Sequence, residues 1–180
     1  KFNFDLSKKI IKTKNTNEFL NKLAHLKRLS SEATIIGITG SSGKTSLKDL
    51  IGKLLSFFDK TYYSQKSFNN SYGVPLSLSN LELDHKYGVF EIGMSKSGEI
   101  DKLSKLVKPH IAVITNIAEA HIENFKDLKG IAKAKGEIIN NIVKDGYLIL
   151  NRDDNFFSYF KNEALKKNIK VVSFGLNKNS

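Results

Sequence analysis

One octapeptide constrains this chain more than anything else in it. Thr39-Gly40-Ser41-Ser42-Gly43-Lys44-Thr45-Ser46 follows a short apolar run, Thr34-Ile35-Ile36-Gly37-Ile38-Thr39. It precedes Leu47, Leu50, Ile51, Leu54, Leu55 and Phe58, spaced as the apolar stripe of one helix. A buried strand, a glycine turn and a helix in that order suit an anion. The glycines let the backbone fold back, and successive N–H groups converge on a phosphate at the helix N-terminus. Lys44 is placed to reach the β- and γ-phosphates, and the Thr45 hydroxyl to ligate Mg²⁺. The general pattern has glycine where this chain has Ile38. Strand before, helix after and Gly-Lys-Thr at the junction outweigh that departure. The binding stretch is therefore Gly40, Ser41, Ser42, Gly43, Lys44, Thr45 and Ser46.

The rest of the chain repeats the alternation. Tyr87 to Ile92, Ile111 to Thr115 and Tyr147 to Leu150 read as buried strands, with shorter candidates at Thr61 to Tyr63 and Lys170 to Phe174. Ile100, Leu103, Leu106 and Val107 mark a second amphipathic helix, ended by Pro109. The fold class is α/β: a P-loop-containing, mostly parallel, doubly wound sheet with helices on both faces. Ligands in such sheets sit beyond the carboxyl ends of the strands. Residues 1–32 read differently, as a polar linker and a lead-in helix capped by Asn17 and carrying Phe19, Leu20, Leu23 and Leu26. The nucleotide-binding domain then runs from 33 to 180.

Composition narrows the class further. The chain has 180 residues, no cysteine, and no apolar run near the ~20 residues of a membrane span. Its net charge of +11 comes from 29 basic and 18 acidic residues, and the basic ones are all lysine except Arg28 and Arg152. They are scattered, without the arginine–aromatic interleaving that stacks bases, so a solvated surface is favoured over a nucleic-acid partner.

Other strand ends supply the remaining candidates. Glu91 closes a strand where a carboxylate could hold a metal near the phosphates. His121 follows the strand at 111–115 in Thr115-Asn116-Ile117-Ala118-Glu119-Ala120-His121; alone, such a histidine is more often a surface residue than a ligand. Asn69 and Asn70 lie just before a helix whose first position suits Pro75, where amide groups can meet a phosphate or carboxylate.

Together these stretches resemble the Mur ligases, ATP-dependent amide-bond ligases of peptidoglycan precursor synthesis. The carrying residues are the loop from Thr39 to Ser46, Asn69-Asn70 with Gly73-Val74-Pro75, Glu91-Ile92-Gly93-Met94 with Gly98-Glu99-Ile100, Asn116 to His121, and Ala132-Lys133-Ala134-Lys135-Gly136-Glu137-Ile138. The family's phosphate loop is the compact Thr-Gly-x-x-Gly-Lys-Thr form, in which Ile38 is no anomaly. Gly98-Glu99-Ile100 and the 133–138 stretch point to the branch that adds D-alanyl-D-alanine, and away from folylpolyglutamate synthases of the same fold. Asn151-Arg152-Asp153-Asp154 resembles the family's Asn-Ala-Asp stretch with arginine for alanine, and is assigned no role.

The resemblance implies a cytoplasmic, monomeric enzyme that phosphorylates the peptide carboxylate of UDP-N-acetylmuramoyl-tripeptide with ATP. The amine of D-alanyl-D-alanine then captures the acyl phosphate. Lys44, His121 and Lys135 would be catalytic. Thr45 and Glu91 would hold one Mg²⁺, while His121 and a carbamylated Lys135 would bear on a second. Asn69, Asn70 and Asn116 would sit near the transferred phosphate. The family has three domains, and only the central one, short at its distal end, is expected here. Such a piece should bind nucleotide weakly and not ligate.

Periodicity separates Lys135 from Lys133. At 100° per residue Ile131, Lys135, Ile138 and Ile142 fall at about 0°, 40°, −20° and 20°, one face of a single helix, and Lys133 near 200°. Burial favours the neutral amine, the form able to add carbon dioxide. A lysine snorkelling from the helix edge fits the periodicity equally well.

Overall fold

The computed structural model describes residues 12–120 and 122–176. Six parallel strands form one sheet: β1 (Thr34–Thr39), β2 (Thr61–Tyr63), β3 (Tyr87–Glu91), β4 (Ile111–Ile114), β5 (Tyr147–Asn151) and β6 (Lys170–Phe174). Their spatial order is β2-β3-β1-β4-β5-β6. From β1 the chain goes out to the edge strand β2 and returns to β3; it then crosses β1 to β4 and runs outward to β6. The direction changes around β1, so the crevice lies beyond the carboxyl ends of β3, β1 and β4.

Among the described residues α1 (Thr16–Ser30) precedes β1, and five α-helices connect the strands: α2 (Lys44–Leu55), α3 (Gly73–Ser79), α4 (Glu99–Val107), α5 (Leu128–Gly136) and α6 (Phe157–Leu165). The two faces are covered unequally. The main core gathers Ala24 of α1, Val74 and Leu78 of α3, Ile100 of α4, Ile131 of α5 and Phe160 of α6. The other face, Ile36, Ile38, Val89 and Val113, is covered by α2 through Leu47, Ile51 and Leu55. Helices thus lie on both faces, as the alternation predicts, but one face has only α2 among the described residues.

Several local expectations shift. The α1 cap is Asn15, not Asn17: its extended backbone lets its side chain accept from the Asn17 and Glu18 N–H groups. That helix buries Ala24 and Arg28 and leaves Leu26 61% exposed, because Arg28 turns inward to donate to Val107 O and Lys108 O, each at 2.7 Å. On α2 the stripe predicted as one buried face is narrower: Leu50 is 56% and Phe58, beyond the helix end, 81% exposed. Pro75 is the third residue of α3 rather than the first, still within the turn whose N–H groups lack intrahelical partners. The single helix expected through Ile142 breaks after Gly136 into a 3₁₀ segment, Glu137–Asn141. Burial keeps the predicted face nonetheless: Ile131, Lys135, Ile138 and Ile142 are buried and Lys133 is exposed.

Candidate functional site

The parallel register builds the site. Ile38 pairs with Glu91 on one side and Val113 on the other. Partners in register point to the same face, so Glu91 projects toward the layer that holds α2. The first turn of α2 meets it there: Thr45 Oγ1 donates to Glu91 Oε2 at 2.8 Å, and Asn69 Nδ2 donates to Oε1 at 2.7 Å. Glu91 is buried with both oxygens engaged, so the acid at the strand end is neither solvated nor unpaired. A hydroxyl and a carboxylate in contact form a hard oxygen donor set that fits Mg²⁺.

The loop before α2 is shaped by its glycines and sewn to β4. Gly40 has φ +143, and a Cβ there would collide with the Thr115 hydroxyl; Gly43 has φ +77. Thr115 Oγ1 donates to Ser42 O at 2.7 Å, and Ser41 N donates to Asn116 O at 2.9 Å. Asn116 Oδ1 accepts from Ser42 N at 3.0 Å while its Nδ2 donates to Ser42 Oγ at 2.8 Å. The N–H groups of Ser41 and Ser42 are therefore occupied. Lys44, Thr45 and Ser46, in the first turn of α2, present N–H groups that have no partner within the helix.

Two ammonium groups converge on one carbonyl. Lys44 Nζ donates to Gly40 O at 2.9 Å and to Ser41 O at 3.3 Å. From the opposite layer, Lys135 Nζ donates to the same Gly40 O, also at 2.9 Å. Lys135 is buried, and that desolvation, with the Lys44 charge adding to it, brings its pKa down to about 8. Desolvation also lowers the pKa of Lys44, with Glu91 opposing the shift. Near pH 7 that leaves roughly a tenth of Lys135 as the neutral amine, the form that the carbamate expectation needs.

The cleft above the loop has a volume of about 690 Å³ and includes Ser41, Lys44, Asn69, Asn70, Lys102 and Lys135 in its lining. Asn70 spends its side chain on capping α3, Oδ1 accepting from Tyr72 N (3.1 Å) and Gly73 N (2.9 Å), so its amide is turned to the helix start. Asn116 likewise acts on the loop from behind. His121 lies outside the described residues.

Sequence reading missed three contributors. Glu137 accepts from Ser97 Oγ, Gly98 N and Asp101 N at 2.8–3.1 Å, a carboxylate at the α4 N-terminus where the helix dipole favours it. The stretches at 98–100 and 133–138 thus meet as one rim of the cleft. Asp154 Oδ2 accepts from Ile117 N at 2.8 Å, a job for the segment that had been given none. Lys48 is fully buried. A lysine four residues after Lys44 on the same helical face was the available signal.

Strand, glycine loop and helix, with an acid from the neighbouring strand against the helix's first hydroxyl, define a P-loop α/β domain. This chain belongs to the Mur ligase family: the description "Mur ligase middle domain" matches residues 38–180. A UDP-N-acetylmuramoyl-tripeptide--D-alanyl-D-alanine ligase from Buchnera aphidicola is 41% identical over 166 residues, covering 92% of this chain and 36% of that protein. A MurF crystal structure from Acinetobacter baumannii superposes with TM-score 0.85 at 37% identity, covering 91% of this chain and 36% of that one. MurF from Thermotoga maritima in complex with ADP gives TM-score 0.81 at 29% identity, covering 97% and 39%. The chain spans little more than a third of the length of such relatives.

Proposed function

We propose that this chain is the nucleotide-binding part of an enzyme that joins D-alanyl-D-alanine to UDP-N-acetylmuramoyl-tripeptide, using Mg·ATP in the cytoplasm. ATP lies with its phosphates on Gly40 to Ser46. The tripeptide carboxylate attacks the γ-phosphate; the bond to the β–γ bridging oxygen breaks and ADP leaves. The amine of D-alanyl-D-alanine then attacks the acyl carbon, inorganic phosphate leaves with the electrons of the C–O bond, and the nitrogen gives up a proton. Joining a carboxylate to a polyphosphate demands charge cancellation held ready before the reaction. Lys44 supplies it from the loop, and Thr45 and Glu91 would hold Mg²⁺, which neutralises phosphate charge when bound. Asn69 keeps the Glu91 carboxylate oriented. Lys135, as a neutral amine, can add carbon dioxide and release a proton; the resulting carbamate, with His121, would hold a second Mg²⁺.

The observation that carries this reading is the Thr45–Glu91 contact, flanked by Lys44 and Asn69, which both line the cleft. Similarity at 41% identity to a UDP-N-acetylmuramoyl-tripeptide--D-alanyl-D-alanine ligase supports the substrate assignment. Calorimetric titration tests the nucleotide site. Lys44→Ala is expected to lose about 1.5–3 kcal/mol of ATP affinity, the worth of a charged hydrogen bond. Unchanged affinity in that variant would reject the site.

A further inference from the structure

Lys48 lies one turn beyond Lys44 on α2 and reaches none of the cleft's lining. Its Nζ donates to Ser64 O and Lys66 O, both at 2.6 Å, and pairs with Asp49 Oδ1 at 3.0 Å. Two carbonyls thus accept from the ammonium, and a carboxylate balances its charge. The two carbonyls flank the turn that leaves β2. Within it Lys66 sits at φ +48, a conformation that side-chain-bearing residues seldom adopt unaided. Just past the turn come the residues that face the cation site. Ser67 Oγ lies 3.5 Å from Thr45 Oγ1, and Asn69 holds Glu91 while its carbonyl accepts from Gly93 N at 2.8 Å. One buried charge therefore ties the turn that carries Ser67 and Asn69 to the helix that carries Thr45.

We propose that Lys48 is a positioning residue for Mg²⁺: through the 64–66 turn it sets Ser67 and Asn69, which hold Thr45 and Glu91 in place for the cation. The inference rests on the Mg·ATP reading above. It makes a demand that a merely structural brace does not, since the Mg²⁺-dependent part of ATP affinity should fall while the Mg²⁺-independent part stays.

The experiment is calorimetric titration with ATP, once in Mg²⁺ and once in EDTA, on wild type, Lys48→Met and Lys48→Gln. The expected result for Lys48→Met is a gain from Mg²⁺ reduced about tenfold or more, the usual effect of removing support behind metal ligands, with affinity in EDTA unchanged. Lys48→Gln, which keeps two N–H donors for the two carbonyls, is expected to recover part of that gain. A full Mg²⁺ gain in Lys48→Met, or a loss of equal size in both buffers, overturns the proposal. Should Lys48→Met not fold, Lys48→Gln decides: a Mg²⁺ gain equal to wild type overturns the proposal, and a reduced gain with intact EDTA affinity supports it. Wild type binding ATP equally in both buffers would instead remove the Mg·ATP reading, and this inference with it.

Discussion

Two lysines are withdrawn from solvent on opposite sides of the phosphate loop, and their surroundings differ in kind. Lys48, on the buried side of α2, donates to two carbonyls and pairs with the Asp49 carboxylate. Lys135, on α5, has Gly40 O as its acceptor and the Lys44 ammonium on the same oxygen. Burial is nearly equal, so the difference lies in the partners. A buried ammonium matched by oxygens is a brace; one short of them, beside a like charge, is pushed toward the neutral amine and its chemistry. On the proposed function the two lysines would divide the work accordingly, Lys48 fixing geometry and Lys135 supplying a reactive group.

Substitution should expose the contrast. Lys48→Met strands two carbonyls in the interior and is expected to lower stability by about 3 kcal/mol in urea unfolding. A loss under about 1 kcal/mol would mean that water replaces the ammonium and the brace is dispensable. Lys135 should show itself in pH dependence instead. Its native pKa of about 8 lies below the ordinary 10.5, so between these values the unfolded chain binds more protons. Stability due to this group therefore rises with pH across that window, by up to about 1.4 kcal/mol per unit. Lys135→Met should lack the rise; the same slope in wild type and variant would remove Lys135 from its cause. The smallest effect sharpens the electrostatics. Because Lys44 helps depress Lys135, Lys44→Ala should move the onset of that rise to higher pH, and an unmoved onset would leave desolvation as the whole cause.

What was legible in the sequence was local and periodic. The strands at 61–63 and 170–174, the glycine loop and the buried face through Lys135 follow from alternation, turn chemistry and helical spacing, all readable over a few residues. What was not legible depends on distant backbone. Lys48 binds carbonyls 16 and 18 residues away, and a carbonyl carries no residue identity. Asn70 and Asn116 turn their amides to the α3 start and to Ser42, choices made by loop geometry. Leu50 reads as core and stands exposed because α2 turns Leu47, Ile51 and Leu55 to the sheet, with Gly52 against Tyr63, and Leu50 lies off that face.

The central place of β1 in the sheet has a consequence for synthesis. Ile36 pairs with Val89 and with Ile111, 53 and 75 residues later in the chain (89 − 36 and 111 − 36). At about 5–20 residues per second a ribosome needs roughly 3–15 s to deliver those partners. Throughout that interval the strand leading into the glycine loop has both edges open, and its apolar stretch is a template for pairing with other nascent chains. Polar substitutions in β3 or β4 that delay this closure should therefore appear first as a lower soluble yield, ahead of any change in nucleotide binding by the protein that does fold.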